Sequence, residues 1–202
     1  MLVSNKHNFV WLHPPKTGGS SLTIALAPYL NNPREPKTGD DSWQARHHIH
    51  AMHHQYKDQF AGKRAVMFVR NPWGRVWSLY HSLVNRSRLP LARFVQSIPR
   101  MEGSNAIISR PCCWTARANQ LTYIGRMETI ATDFKRIFGK LTGLEAPELT
   151  HYKTGRGTFA DYRQEDWLAA FDNDPDSRKR VADIYRQDLE DFRYSEEAMW
   201  PS

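Results

Sequence analysis

Residues 9–22, Phe-Val-Trp-Leu-His-Pro-Pro-Lys-Thr-Gly-Gly-Ser-Ser-Leu, put an apolar run, a cationic glycine-rich turn and the start of a helical pattern in direct succession. A chain with that order builds an anion cradle. Gly18 and Gly19 let the backbone bend and approach a ligand, and the first N–H groups of the following helix point at the same spot. A phosphate is the expected guest. The order is not that of the GxxxxGK[ST] loop, because Lys16 precedes the glycines, with no glycine four residues upstream of it. A lysine at the strand end reaches a group leaving the phosphate rather than a terminal phosphate with its metal.

The same grammar occurs again. Ala65-Val66-Met67-Phe68-Val69 is a continuous apolar run of strand length, closed by Arg70-Asn71-Pro72. A helix follows over 73–83, with Val76, Leu79, Tyr80 and Leu83 at spacings of three and four. Further helices are expected over 20–26, 89–98, 128–138 and 176–192, and a short strand over 123–126. Residues 42–60 read as polar, His-rich and helical, 31–41 and 148–162 as loops, and 100–118 as irregular. Strands alternating with helices predict an α/β fold: a single P-loop-like domain over 1–202, with a central, mainly parallel sheet flanked by helices. Ligands bind such sheets at the carboxyl ends of the strands. Lys16 and Arg70 each follow a strand and are expected to face one crevice.

Composition narrows the partners. The 202 residues are enough for one domain with a sizeable core, and 40% hydrophobic with 12% aromatic residues argues against disorder. No run of about 18 apolar residues suggests a membrane span, and an apolar run starting at Phe9 leaves no room for a signal peptide before it. The formal charge of +7 favours an anionic partner, which a polyphosphate cofactor, a polyanionic acceptor or a nucleic acid would satisfy equally. The two cysteines, Cys112 and Cys113, are adjacent, which disfavours a disulfide between them and suits a reducing cytoplasm.

Pro-Lys-Thr-Gly-Gly-Ser-Ser closely resembles the 5′-phosphosulfate loop of sulfotransferases that use 3′-phosphoadenosine 5′-phosphosulfate (PAPS). Phe68 to Tyr80, with Arg70, Asn71 and Pro72 and a serine eight residues after Arg70, resembles the 3′-phosphate motif of the carbohydrate-type members. Gly74 departs from the aspartate usual before the second arginine, Arg75. Tyr123 to Glu128 with Asp133-Phe134, and Tyr185 to Tyr194, resemble later family segments of the types GR-x-E…DF and Y..D...FgY, so the likeness runs from about Phe9 to Tyr194. It implies that Lys16, Thr17, Gly18, Gly19, Ser20 and Ser21 hold the 5′-phosphosulfate and that Arg70 and Ser78 hold the 3′-phosphate. A basic loop bearing Lys153 and Arg156 would close over the cofactor.

By the same resemblance a hydroxyl or amine of a carbohydrate or small-metabolite acceptor attacks sulfur in line, with Lys16 stabilising the leaving phosphate and no obligatory metal. The base comes from the cluster His47, His48, His50, His53 and His54, since an imidazole with a pKa near ~6.5 accepts a proton at neutral pH. His48, 22 residues before Arg70, best matches the position of the family's histidine. His50 and His47 are the alternates, and Glu102, Glu128 and Asp133 are carboxylate candidates. A metal pair at His50 and His54 lacks a third ligand at fitting spacing. Among the tryptophans, Trp43, Trp73 and Trp114 could stack on adenine or a sugar, whereas Trp77 is expected in the core. Two other classes fit parts of the pattern. A small-molecule kinase would share the anion loop but lacks an acidic Mg²⁺ ligand after a strand, and a nucleic-acid binder rests on charge alone.

Overall fold

Asn8 takes a left-handed backbone (φ 51), which asparagine tolerates, and turns the chain back so that β1 (Leu2–Ser4) pairs antiparallel with β2 (Phe9–Leu12). The computed structural model describes residues 2–31, 62–84, 89–101, 109–118, 120–149 and 164–199. Packing divides the chain into two units, Met1–Val69 with Trp114–Thr158, and Arg70–Cys113 with Phe159–Ser202.

The first unit holds a four-stranded sheet in the order β1-β2-β3-β4. Strands β3 (Arg64–Val69) and β4 (Leu121–Arg126) run parallel to β2, so the carboxyl ends of all three lie on one edge. Alternation sends Phe9, Trp11, Val66 and Phe68 to one face, where they meet α1 (Gly19–Leu26) and α5 (Ile130–Thr142). Trp11 stacks on Phe68 with centroids 5.3 Å apart. An eight-residue helix is marginal alone; α1 is held by Leu22 and Leu26, which are 1% and 0% exposed. Phe68 also explains Gly125: a Cβ there would fall on its ring. Arg64 donates to the carbonyls of Lys140 (3.0 Å) and Leu141 (2.7 Å) at the end of α5 and to that of His7 (2.8 Å), tying the helix end to the first hairpin.

The second unit is helical. Helices α2 (Pro72–Val84), α3 (Leu91–Ser97), α6 (Gln164–Asp172), α7 (Pro175–Ile184) and α8 (Arg186–Phe192) enclose Trp73, Val76, Phe94, Trp167, Phe171 and Val181. A short α9 (Glu196–Met199) ends the described chain. Asp174 caps α7 by accepting the Ser177 N–H at 3.0 Å, with Pro175 as the first helical residue.

The fold is therefore the expected α/β class with a mainly parallel sheet flanked by helices. Several details differ from the sequence reading. Strand β1 was not expected, being only three residues long. The region 100–118 is not wholly irregular, since α4 (Cys112–Ala118) forms within it. The expected helix over 176–192 is two helices, broken at Tyr185 (φ −110, ψ 23). Residues 42–60 lie outside those described. Among the described residues no helix is long and apolar enough to cross a membrane.

Candidate active site: a glycine loop and a cationic helix start

The chain leaves the end of β2 at His13 and enters α1 at Gly19. Two residues of this loop are left-handed, Lys16 (φ 67) and Gly18 (φ 82). The sequence pointed to the two glycines for the bend; in the structure the bend falls on Lys16 and Gly18, and Gly19 is already helical. Gly19 is needed for space, because a Cβ there would overlap the imidazole of His13. Gly18 is needed for its backbone, and a Cβ would also press on Met127 and Ile130 from beneath. The Thr17 hydroxyl donates to the Pro14 carbonyl at 2.8 Å and is 1% exposed, so this side chain shapes the loop from within.

The first intrahelical bond of α1 runs from the Leu22 N–H to the Gly18 carbonyl (3.2 Å). The N–H groups of residues 19–21 precede it and have no carbonyl of their own helix to bond. Gly18, at the N-cap, has no side chain of its own to cap the helix, and no acidic residue lies in the first turn. With Lys16 half-buried beside them, these donors make a cradle of positive sign that suits a phosphate or phosphosulfate.

The second cationic motif opens the second unit. Arg70 directly follows the last residue of β3, and Asn71 caps α2, its side-chain oxygen accepting the Gly74 N–H at 2.7 Å while its carbonyl accepts the Arg75 N–H at 3.0 Å. Pro72 is the first helical residue. The Arg-Asn-Pro signature is thus a helix start that fixes where Arg70 leaves the backbone. The departure at Gly74 has a local meaning too: a Cβ there would lie 3.0 Å from the Asn71 amide nitrogen and 3.2 Å from Arg70 Nε. Ser78, two turns on, is 8% exposed.

Arg75, three residues before Ser78, is not a surface group. It is 2% exposed; its Nη2 donates to the Arg110 carbonyl and its Nη1 lies 3.9 Å from Asp188 Oδ2. Its guanidinium sits 5.5 Å above the Tyr185 ring, whose hydroxyl donates to the Ser109 carbonyl at 2.6 Å. Burial pushes the Tyr185 phenol up to about 12, Arg75 opposing it and Asp188 and Cys112 adding to it. Asp188 in turn accepts the Cys112 and Cys113 N–H groups at 2.8 and 2.7 Å. Tyr185 and Asp188, three residues apart across the break, both meet Arg75. Nothing in the local sequence around Arg75 pointed to this cluster; the only signal was the spacing of Tyr185, Asp188, Phe192 and Tyr194, all four of which are buried.

The remaining candidates divide as follows. His47, His48, His50, His53, His54, Trp43, Glu102, Lys153 and Arg156 lie outside the described residues. Asp133 accepts from the Arg126 N–H (2.9 Å), the Thr129 hydroxyl (2.8 Å) and Arg136 (2.7 Å). Partial burial works against it, yet these hydrogen bonds hold its carboxyl below the ordinary range, so it is a capping anion rather than a base. Trp73 is fully buried and donates from Nε1 to the Arg178 carbonyl (3.0 Å), so it belongs to the core and is no platform for a base or sugar. Trp77 packs against the same core, as expected, and Trp114 is 49% exposed. An open groove of about 700 Å³ in the second unit is lined by Gln96, Arg100, Asp176, Lys179, Arg180 and Asp183, with no residue of either motif.

None of the curated proteins matches the chain. Among solved structures, a sulfotransferase from Alicyclobacillus acidocaldarius is similar at 15% identity and a TM-score of 0.43, over 92% of this chain and 98% of that one, a likeness too distant to give any residue a role. A family model described as the sulfotransferase family matches residues 1–195, nearly the whole length and both motifs, and the chain belongs to that family.

Proposed function

We propose that this sulfotransferase moves a sulfuryl group from PAPS to a hydroxyl or amine of a carbohydrate or small-metabolite acceptor, as one domain over 1–202 acting in the cytoplasm. The observation that carries the reading is the loop, in which left-handed Lys16 and Gly18 lead into a helix start with glycine at its N-cap and no acidic residue in its first turn. That donor set fits the 5′ end of such a cofactor. When bound, PAPS supplies an activated sulfuryl group on a phosphate that departs as adenosine 3′,5′-bisphosphate.

The chain's own residues would meet three demands: neutralising charge on the departing oxygen, taking the acceptor's proton, and alignment. The Lys16 ammonium answers the first. The N–H groups of Gly19, Ser20 and Ser21, with the serine hydroxyls, hold the 5′-phosphate, while Thr17 and Gly18 keep the loop in shape. Arg70 offers a planar fork of donors and Ser78 a hydroxyl to the 3′-phosphate. His48 serves as base, with His50 as the alternate, and Lys153 and Arg156 cover the cofactor.

Calorimetric titration with adenosine 3′,5′-bisphosphate, adenosine 5′-monophosphate and ATP–Mg²⁺ tests the reading. Binding that requires the 3′-phosphate and falls in Arg70→Ala and Lys16→Ala is expected. Equal affinity for the mono- and bisphosphate sinks the proposal, and tighter ATP–Mg²⁺ binding favours a kinase instead.

A further inference from the structure

Three buried side chains of the second unit are directed at the main chain of one five-residue segment. Tyr185 bonds the Ser109 carbonyl, Arg75 the Arg110 carbonyl, and Asp188 the N–H groups of Cys112 and Cys113. The side chains come from α2, from α8 and from the break before α8, and are 2%, 1% and 1% exposed. Cost and geometry together suggest a purpose. A buried ion pair is seldom more stabilising than apolar packing of the same volume, because desolvation offsets the attraction. What directional bonds add is one defined arrangement. Arg75 lies on α2 between Ser78, on the same helix, and Arg70, two residues before its start, so the arrangement it defines is that of the helix start that places both.

We propose that the Arg75–Asp188–Tyr185 cluster positions the 3′-phosphate site: it locks α2, and with it Arg70 and Ser78, in register with residues 109–113 and α8. None of the three touches the ligand. The inference rests on the cofactor reading above and makes a separate demand, that 3′-phosphate recognition depends on the cluster while recognition of the 5′ end does not.

The test compares two ligands on the full chain, adenosine 3′,5′-bisphosphate and adenosine 5′-phosphosulfate, which lacks the 3′-phosphate. For Asp188→Asn we expect bisphosphate affinity to fall about tenfold, and for Tyr185→Phe, which removes one hydroxyl, about threefold. Affinity for the 5′-phosphosulfate should change by less than about twofold in both. General loosening of the fold would weaken both ligands together, and that result, or unchanged bisphosphate binding, overturns the proposal. Should Asp188→Asn fail to fold, Tyr185→Phe decides alone. If the unsubstituted chain binds the two ligands equally, the cofactor reading itself has failed, and this inference with it.

Discussion

On the proposed reading, the loop after β2 and the start of α2 solve the same problem, presenting positive charge to an anion, with different materials. The loop uses backbone: two left-handed residues, a glycine seated against His13 and a hydroxyl turned inward. The helix start uses side chains supported by other side chains, through Arg75, Asp188 and Tyr185. A backbone device is contained within a few residues of sequence and should fail locally. A side-chain network spans the second unit and should fail across that unit.

The largest effect is expected where the network loses one charge. Arg75→Met leaves Asp188 buried and uncompensated, and urea denaturation should show a loss of about 3–5 kcal/mol. The double variant Arg75→Met/Asp188→Leu should recover only part of that stability, because it removes the uncompensated charge but also the carboxylate that accepts the Cys112 and Cys113 N–H groups. A single variant as stable as the parent would erase the contrast between the two regions.

Next is Gly19→Ala. Its methyl group collides with the His13 ring, and overpacking of this kind costs about 1–3 kcal/mol. Adding His13→Ala opens the space, so thermal stability and bisphosphate binding should both partly return; a double variant worse than either single one would show that the ring does not fill that space.

A finer comparison sets Asn71→Ala against Lys16→Gly. Loss of the cap on α2 should cost about 1 kcal/mol. Lys16→Gly relieves a left-handed side-chain residue and should raise stability by up to about 1 kcal/mol while abolishing tight bisphosphate binding. Opposite signs in the two denaturation curves are the outcome that sharpens the distinction.

The smallest effect is set by pH. Burial lowers the His81 pKa on α2, with Asp166 opposing it, so the folded chain favours the neutral ring. The stability this represents is present above the unfolded value near ~6.5 and is lost as pH falls through the lower folded value. A thermal midpoint that declines below about pH 6.5, with a shallower decline in His81→Gln, is expected; the same slope in both would assign the decline elsewhere.

How far the sequence was legible follows the same division. The loop was readable because Lys16, Gly18 and Gly19 are neighbours and their constraints are local, although the left-handed bend proved to fall on Lys16 as well as on a glycine. Strands β2 and β3 were readable because a strand buried on both faces is apolar without interruption. The Arg75 cluster was not, because its members lie at 75, 109–113 and 185–188 and only the folded unit brings them together. An arginine three residues before a serine on a helix looks solvent-facing until Asp188 is placed beside it. The broken helix was hidden for the related reason that Val181, Tyr185, Leu189 and Phe192 keep helical spacing across the break. Helix α6 offered Trp167 and Phe171 four apart, too short a pattern to stand out beside the loop before it.

The bond from the Thr17 hydroxyl to the Pro14 carbonyl has a kinetic meaning as well. It closes the loop on itself across three residues, with Met127 and Ile130 packed beneath Gly18, so the loop meets a ligand already shaped. Encounter and orientation, rather than loop ordering, should then limit how fast an anion docks. If the loop holds a nucleotide as proposed, substitutions that keep its charge should lengthen or shorten the time the nucleotide stays and leave the rate at which it arrives almost unchanged.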